Sequence, residues 1–191
     1  MNKQNRYGIM LAIGLVILAA VSRVLMYPDN FSPIIGMAVF SGAVIKSRKM
    51  AFLLPILSMF LSDVMFEVFH IAVGFWGWGQ LVGYGILALI TILAFTLKKI
   101  NVVNVIGFSI ASSIIFFLLS NLSFFILDNP TYHTYPQNAN GFLQCYIQAL
   151  PFFRTSLIAD LVYSGVLFGT YYLVSNYVIR SLKPQASSFR L

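Results

Sequence analysis

The chain is dominated by apolar runs that are long enough to cross a lipid bilayer, separated by short stretches that carry the charges. A helix needs about 20 mainly apolar residues to cross the hydrocarbon core. Only 9% of the 191 residues are charged, against about 25% in soluble domains. The runs are continuous and lack the alternation of barrel strands. We therefore predict an all-α polytopic membrane protein with a single domain over residues 1–191. A soluble enzyme, a nucleic-acid-binding domain and a disulfide-stapled secreted module are excluded.

Six runs are candidate membrane spans. They cover residues 7–26, 31–45, 50–69, 75–97, 102–127 and 155–179. The second run reaches only about 22 Å at 1.5 Å per residue. As a span, it would need local thinning of the bilayer or snorkelling of Lys46 and Lys49.

The placement of the cations decides how often the chain crosses. With six spans, ten of the twelve Lys and Arg residues lie on one side, and only Arg23 and Arg154 lie towards the other. The positive-inside rule makes the richer side cytoplasmic, so we predict six helices with both termini inside, in a bacterial cytoplasmic membrane. The net charge of +7 then reflects topology and not a nucleic-acid partner. We expect the first helix to be retained, because its cleavage would leave an odd number of spans.

One long connection, residues 128–154, lies on the predicted outer side. Its first half, 128–141, is polar and is interrupted by Pro and Gly. Its second half, 142–153, is predicted to form a short amphipathic helix, which Pro151 would end or bend before the sixth span.

All five acids lie in outer loops or in the outer halves of helices. Asp29 and Asp128 are expected to be solvated loop residues. Asp63, Glu67 and Asp160 lie within spans, where an ionisable group costs at least ~2.5 kcal/mol and usually faces a partner or a watery cavity.

Two of these acids share a helix face. Asp63 and Glu67 are four residues apart, and His70 follows three residues later on the same face. Arg23 lies at a depth where it could meet Asp63 or Asp160. Two interpretations stay open: an internal ion pair that fixes helix packing, or groups that line a cavity open to the outside.

Other polar and aromatic residues also lie at the outer ends of the helices. The complete set of candidate ligand-binding residues is Arg23, Asn30, Phe31, Asp63, Glu67, Trp76, Trp78, Gln80, Asn121, Tyr146, Arg154 and Asp160. The alternatives are an interfacial belt for the tryptophans and an interhelical hydrogen bond for Asn121. The inner halves are nearly free of polar groups, which suits capture of a polar ligand from outside better than a continuous pore.

Small residues recur four positions apart in several helices, which allows close helix approach. The pairs are Gly8 and Ala12, Ala38 and Gly42, Gly79 and Gly83, and Gly165 and Gly169. They predict internal packing, or alternatively the docking of a partner membrane protein.

The motifs of common enzymes and nucleotide-binding proteins are absent from the sequence. There is no phosphate-binding Gly-x-x-x-x-Gly-Lys loop, no His-Glu-x-x-His pair and no Gly-x-Ser-x-Gly turn. A lone cysteine such as Cys145 is more often a packing residue than a nucleophile. We therefore predict no catalytic residue, no metal ligand and no cofactor.

Several motifs carry a resemblance to known proteins. Residues 30–34, residues 38–43, Pro55, the Ser62–Asp63 pair and residues 145–163 resemble a family of small six-helix bacterial membrane proteins. More distantly, the chain is similar to the S components of energy-coupling-factor vitamin transporters and to BtuM-type cobalamin transporters. This likeness implies six helices, an outward-facing ligand pocket and, for S components, a transmembrane coupling protein with ATPases.

Two departures limit the roles that this resemblance transfers. The cobalt-ligating cysteine of the BtuM type lies near the third helix, whereas Cys145 precedes the sixth, so that role is not carried over. The paired alanines through which S components dock are matched only by Gly8 and Ala12.

The function expected from the sequence is uptake of a vitamin or cofactor precursor, with cobalamin as the first guess. The partners would be this vitamin-like molecule, the bilayer and a coupling protein. The alternatives are an intramembrane enzyme acting on a lipid at the outer leaflet, with Asp63 and Glu67 as metal-binding acids, and a non-transporting accessory subunit of a membrane complex.

Overall fold

The computed structural model describes residues 3–25, 30–75 and 77–181, and its regular elements in these ranges are all helical. In chain order they are α1 (Lys3–Ser22), α2 (Ile34–Val44), α3 (Arg48–Val68), α4 (Trp78–Ala94), α5 (Val102–Ser123), a π-helical turn (Phe124–Asp128), α6 (Asn129–Tyr132) and α7 (Ala139–Ser181). The predicted all-α class is confirmed for the described part of the chain.

Helix α2 lies at the centre of the bundle. Five longer helices surround it in the order α1, α3, α4, α5 and α7, and α7 closes the ring by contacting α1. Met37, Ala38, Val39 and Phe40 of α2 are fully buried. The Phe40 ring lies 5.1 Å from the ring of Phe168 in α7. A helix that is apolar on every face suits this position, because every face contacts protein.

Helix α2 is shorter than the predicted second run. Its 11 residues span about 16 Å at 1.5 Å per residue, which is well below the thickness of the hydrocarbon core. Other helices surround it, so its sides contact protein. Thinning of the bilayer and snorkelling of Lys46 and Lys49 stay predictions.

Three helical segments of the described chain are long and apolar enough to cross a membrane. They are Arg48–Val68, Val102–Tyr132 and Ala139–Tyr177, while Tyr7–Ser22, Ile34–Val44 and Trp78–Ala94 are shorter apolar helices. These lengths and compositions support a membrane protein. The count of six spans stays a prediction.

The two ends of the bundle differ in charge. The guanidinium of Arg48 lies 5.4 Å from the ring centroid of Phe95, which brings the α2–α3 and α4–α5 connections to the same end. We call this the positive end, because its connections carry exposed cations: Lys46, Lys49, Lys98 and Lys99. At the opposite end, the Ser156 hydroxyl donates to the Asn30 carbonyl at 3.2 Å.

Helix α1 ends earlier than residue 26, the predicted limit. Arg23, Val24 and Leu25 donate their backbone N–H groups to carbonyls three residues back, at 3.1–3.2 Å. Such bonds tighten the final turn and end the helix. Arg23 therefore follows α1, and its side chain reaches α3.

The prediction that Pro151 ends the short helix is wrong, whereas the alternative, a bend at Pro151, stays a prediction. Helix α7 runs without interruption from Ala139 to Ser181 with Pro151 inside it, so the expected short helix and the sixth span form one element. Proline removes a single backbone donor, and long membrane helices tolerate this loss where neighbouring groups compensate. Part of the polar half of the connection is also helical, in the π-helical turn and α6.

Candidate functional site

A buried ion pair connects the end of α1 to α3. Arg23 Nη1 lies 2.6 Å from Asp63 Oδ1, and the two side chains are 13% and 1% exposed. The same guanidinium group donates to the Met59 carbonyl at 3.1 Å and to the Ser62 hydroxyl. The guanidinium carbon of Arg23, Cζ, lies 4.9 Å from the ring centroid of Phe66. Of the two partners considered for Arg23, the structure selects Asp63.

Helix α4 supplies the other donors to this carboxylate. Gln80 Nε2 lies 2.7 Å from Asp63 Oδ2, and the Tyr84 hydroxyl donates to the same oxygen at 3.0 Å. Gln80 Nε2 also donates to the Gly74 carbonyl at 3.0 Å. Both oxygens of Asp63 therefore have donors, and a cation balances the charge. A buried carboxylate needs this degree of pairing to be tolerated, and the cluster joins α1, α3 and α4.

Gly74 allows the α3–α4 connection to approach this cluster. A Cβ atom at Gly74 would overlap the carbonyl oxygen of Asp63. The Gly74 N–H donates to Glu67 Oε2 at 3.1 Å. Glu67 and His70 are exposed, whereas Asp63 is buried. The three residues therefore do not line one surface together, and the structure uses Glu67 to hold the connection.

Asp160 lies in a separate buried cluster between α5 and α7. It is 1% exposed, and its Oδ2 accepts a hydrogen bond of 2.6 Å from the Ser113 hydroxyl. Next to this contact, the hydroxyls of Ser109 and Ser164 lie 2.8 Å apart. Asp160 and Asp63 are thus parts of two different polar clusters.

The remaining candidates on α5 and α7 lie where these helices pack together. The Tyr146 hydroxyl donates to the Leu118 carbonyl at 2.8 Å, and its ring lies 5.7 Å from that of Phe117. Asn121 Nδ2 donates to the Phe117 carbonyl at 2.8 Å. The Asn121 side chain therefore bonds within its own helix, and not across helices as the alternative interpretation expected.

The candidates near residue 30 lie at the end of the bundle opposite the positive end. Asn30 is exposed, and its carbonyl accepts from Ser156. The Phe31 ring lies 5.9 Å from the ring of Tyr163. Trp78 opens α4 and is exposed. Trp76 and Asp29 lie outside the described residues.

An open, shallow depression of about 720 Å³ lies along one face of α7, towards the end of the bundle opposite the positive end. Its lining consists of Ile147, Leu150, Pro151, Arg154, Thr155 and Ile158. Arg154 is the charged residue of this lining, and it is exposed and forms no ion pair with another described residue. The cavity therefore offers an apolar surface with one cation and one hydroxyl group.

The loop before α7 is held by a buried amide. The Asn129 side chain is fully buried, and it accepts from the Tyr135 N–H at 2.7 Å and donates to the Tyr135 carbonyl at 2.9 Å. Burial raises the pKa of the Tyr135 phenol, and the nearby Cys145 thiol raises it further.

Asp128 does not fit the prediction of a solvated loop acid, because it is only 8% exposed. Its Oδ2 has no hydrogen-bond partner among the described residues. The π-helical turn carries Asp128 back towards the bundle, which a loop assignment could not anticipate.

Sequence reasoning missed Tyr84, Gly74 and Ser113. Gln80 and Tyr84 are four residues apart, as are Ser109 and Ser113, so each pair shares one helix face. This four-residue spacing is the sequence signal that predicts a shared polar face. It does not indicate which face turns inward.

Together these features define a helical bundle with the long apolar segments of a membrane protein and with polar clusters between its helices. A family model matches residues 3–185, and the chain belongs to that family, DUF6580, described as a family of unknown function. No curated protein and no solved structure matches the chain.

Proposed function

We propose that the protein is an uptake protein of the S-component type, which captures a small vitamin-like molecule from outside the cytoplasmic membrane. The observation that carries this proposal is the cavity at the outer part of α7. Its lining is mostly apolar with one cation and one hydroxyl group, which is the composition of small-molecule sites, and it is open, so a ligand there would be covered on one side only. Six spans with both termini inside would place this cavity on the outer side.

Arg154 and Thr155 would bind the polar part of the ligand, and Ile147, Leu150 and Ile158 would contact its apolar part. An exposed arginine without an ion pair keeps its five donors available for an acceptor group. In this arrangement Arg23, Asp63 and Gln80 brace the bundle and do not contact the ligand.

Release to the inside would require a rearrangement of the helices. Ser41 and Thr91 are buried polar residues towards the positive end, and their hydroxyls donate to carbonyls of their own helices at 2.5 Å and 2.9 Å. They offer no ready path for a polar ligand. A coupling protein could drive the rearrangement. The small residues Gly165 and Gly169 would suit its docking, since each is exposed with open space around it.

No observation in the described ranges favours the enzyme alternative. Asp63 is bound to Arg23, and no group of three His, Cys, Asp or Glu residues gathers in these ranges. The accessory-subunit alternative shares the exposed glycines of α7 with the uptake proposal, but it does not use the cavity.

The test is ligand binding by the protein purified in mild detergent. Molecules released on denaturation are identified by mass spectrometry, and a vitamin panel that begins with cobalamin is titrated. We expect micromolar binding of one member. Arg154→Ala should weaken it by about 10-fold or more, because a hydrogen bond to a charged group contributes roughly 1.5–3 kcal/mol.

The controls are Arg154→Lys, which keeps the charge, and Lys99→Ala, which removes an exposed cation from the positive end. Lys99→Ala should leave the affinity unchanged, and Arg154→Lys should retain part of it. Equal affinity of wild type and Arg154→Ala would refute the site. The absence of any released or bound ligand would contradict the uptake proposal.

A further inference from the structure

Asp63 and Asp160 are both almost fully buried, but their surroundings differ. Asp63 receives a cation and two neutral donors, Arg23, Gln80 and Tyr84. Among the described residues, the side-chain partner of Asp160 is one hydroxyl, that of Ser113. A single neutral donor compensates a buried charge poorly, whereas a neutral carboxylic acid needs no counter-charge.

Among the side chains that the structure describes, the helices around α7 supply no cation to Asp160. Helix α7 packs against α1, α2 and α5, and neither α2 nor α5 carries an ionisable side chain. On α1 the ionisable residues, Lys3, Arg6 and Tyr7, lie in the first turns, near the positive end. Arg23, which follows α1, is bound to Asp63.

The ionisable side chains nearest to Asp160 on α7 itself are bonded elsewhere or exposed. The Tyr163 hydroxyl lies 2.9 Å from the Ser22 hydroxyl. Arg154, six residues before Asp160, is exposed and lines the cavity. The Asp160 carboxyl is therefore buried, and its hydrogen-bond partner among the described side chains is the Ser113 hydroxyl.

The serine hydroxyls form a short series of hydrogen-bonding groups. The Ser113 hydroxyl has one proton and two acceptors in reach, Asp160 Oδ2 at 2.6 Å and the Ser109 carbonyl at 2.9 Å. An ionised Asp160 would accept the hydrogen bond of the Ser113 hydroxyl. A protonated Asp160 can instead donate a hydrogen bond to the Ser113 oxygen, so that the Ser113 hydroxyl can donate to the Ser109 carbonyl. One helical turn closer to the positive end, the Ser109 and Ser164 hydroxyls form a second hydrogen bond.

We propose that Asp160, with Ser113, Ser109 and Ser164, is a proton-binding site in the bundle. The carboxyl holds a proton at neutral pH, the Ser113 hydroxyl bonds it directly, and the Ser109–Ser164 pair adds polar groups nearby. This site is independent of the cavity on α7. Its use rests on the proposed function: an uptake cycle needs an energy source, and a proton that binds on the outer side and leaves to the cytoplasm down its gradient is an alternative to a coupling protein.

Infrared spectroscopy of the purified protein in lipid nanodiscs tests the site with the proton itself as the probe. We expect the C=O stretch of a protonated carboxyl at neutral pH, which moves to lower frequency in heavy water. Asp160→Asn should remove this band completely, and Ser113→Ala should shift its frequency. The matched control, Asp63→Asn, should leave it in place.

Absence of the band from wild type at neutral pH, or its persistence in Asp160→Asn, would overturn the proposal. If Asp160→Asn does not fold, Asp160→Glu and Ser113→Ala replace it: a band at the wild-type frequency in both variants would likewise overturn the site. The measurement needs no ligand, so its failure is distinct from failure of the uptake proposal.

Discussion

Arg23 and Asp63 form an ion pair in which the carboxylate is almost fully buried, so loss of either residue leaves the other charge without its partner. Removing one member of a buried pair typically costs about 3–5 kcal/mol, much more than the pair itself contributes. We therefore predict that Arg23→Met strongly lowers the thermal stability of the protein in detergent, although it removes only one side chain at the edge of the bundle.

The double variant separates pairing from packing. Arg23→Met combined with Asp63→Asn removes both charges, so we expect its loss of stability to be smaller than the sum of the two single losses. Unfolding temperatures of the four proteins, measured in the same detergent, provide the comparison. Strictly additive losses would show that the two side chains do not depend on each other.

At the scale of single residues, the sequence predicted the chemistry better than the geometry. An arginine and acids at similar depth predicted either an ion pair or a polar cavity, because an isolated charge is costly in a membrane helix, and the structure shows the ion pair. The sequence could not select between Asp63 and Asp160 for Arg23, since that choice depends on where α1 ends. Nor could it predict that Glu67 bonds the backbone of Gly74, which depends on the path of the connection after α3.

Helix α2 depends on close contact with its neighbours. A Cβ atom at Gly42 would lie 2.6 Å from both the Ala94 Cβ and the Thr91 carbonyl oxygen of α4. We predict that Gly42→Ala destabilises the bundle by about 1–3 kcal/mol, the usual cost of overpacking. Thermal unfolding in detergent measures the effect.

Gly85 of α4 provides the matched control, because no atom lies within 4 Å of a Cβ atom built there. Glycine inside a helix is less favourable than alanine by roughly 0.5–1 kcal/mol, so Gly85→Ala should stabilise the protein slightly or leave it unchanged. Equal effects of the two substitutions would mean that the α2–α4 contact is not close at Gly42.

At the scale of helices, the continuous apolar runs predicted most helix ends to within a few residues, except for the start of α7. They failed where tertiary contacts override local signals. Pro151 is a strong local helix breaker, and yet α7 continues through it. The apolar sequence of α2 fitted either lipid or protein as its surroundings, and only the arrangement of the other helices decides between them.

For the whole molecule, the ring around α2 connects topology to charge. Arg48 and Phe95 bring the α2–α3 and α4–α5 connections together, so Lys46 and Lys99 must lie on the same side of any membrane that the bundle crosses. If α2 crosses and the N-terminus is inside, both lysines are cytoplasmic. If α2 instead enters the membrane from outside and returns to the same side, both lysines lie outside. Every later connection then lies on the side opposite to the one predicted with six spans.

Cysteine labelling in intact cells decides between these topologies. In a Cys145→Ser background, which removes the one native cysteine, Lys46→Cys, Lys99→Cys and Tyr132→Cys introduce single exposed thiols. With six spans, a membrane-impermeant maleimide should label Tyr132→Cys in intact cells and the two lysine positions only after permeabilisation. The reverse pattern would contradict six spans with the N-terminus inside, and the proposed uptake cavity, which lies on the same segment of chain as Tyr132, would then face the cytoplasm.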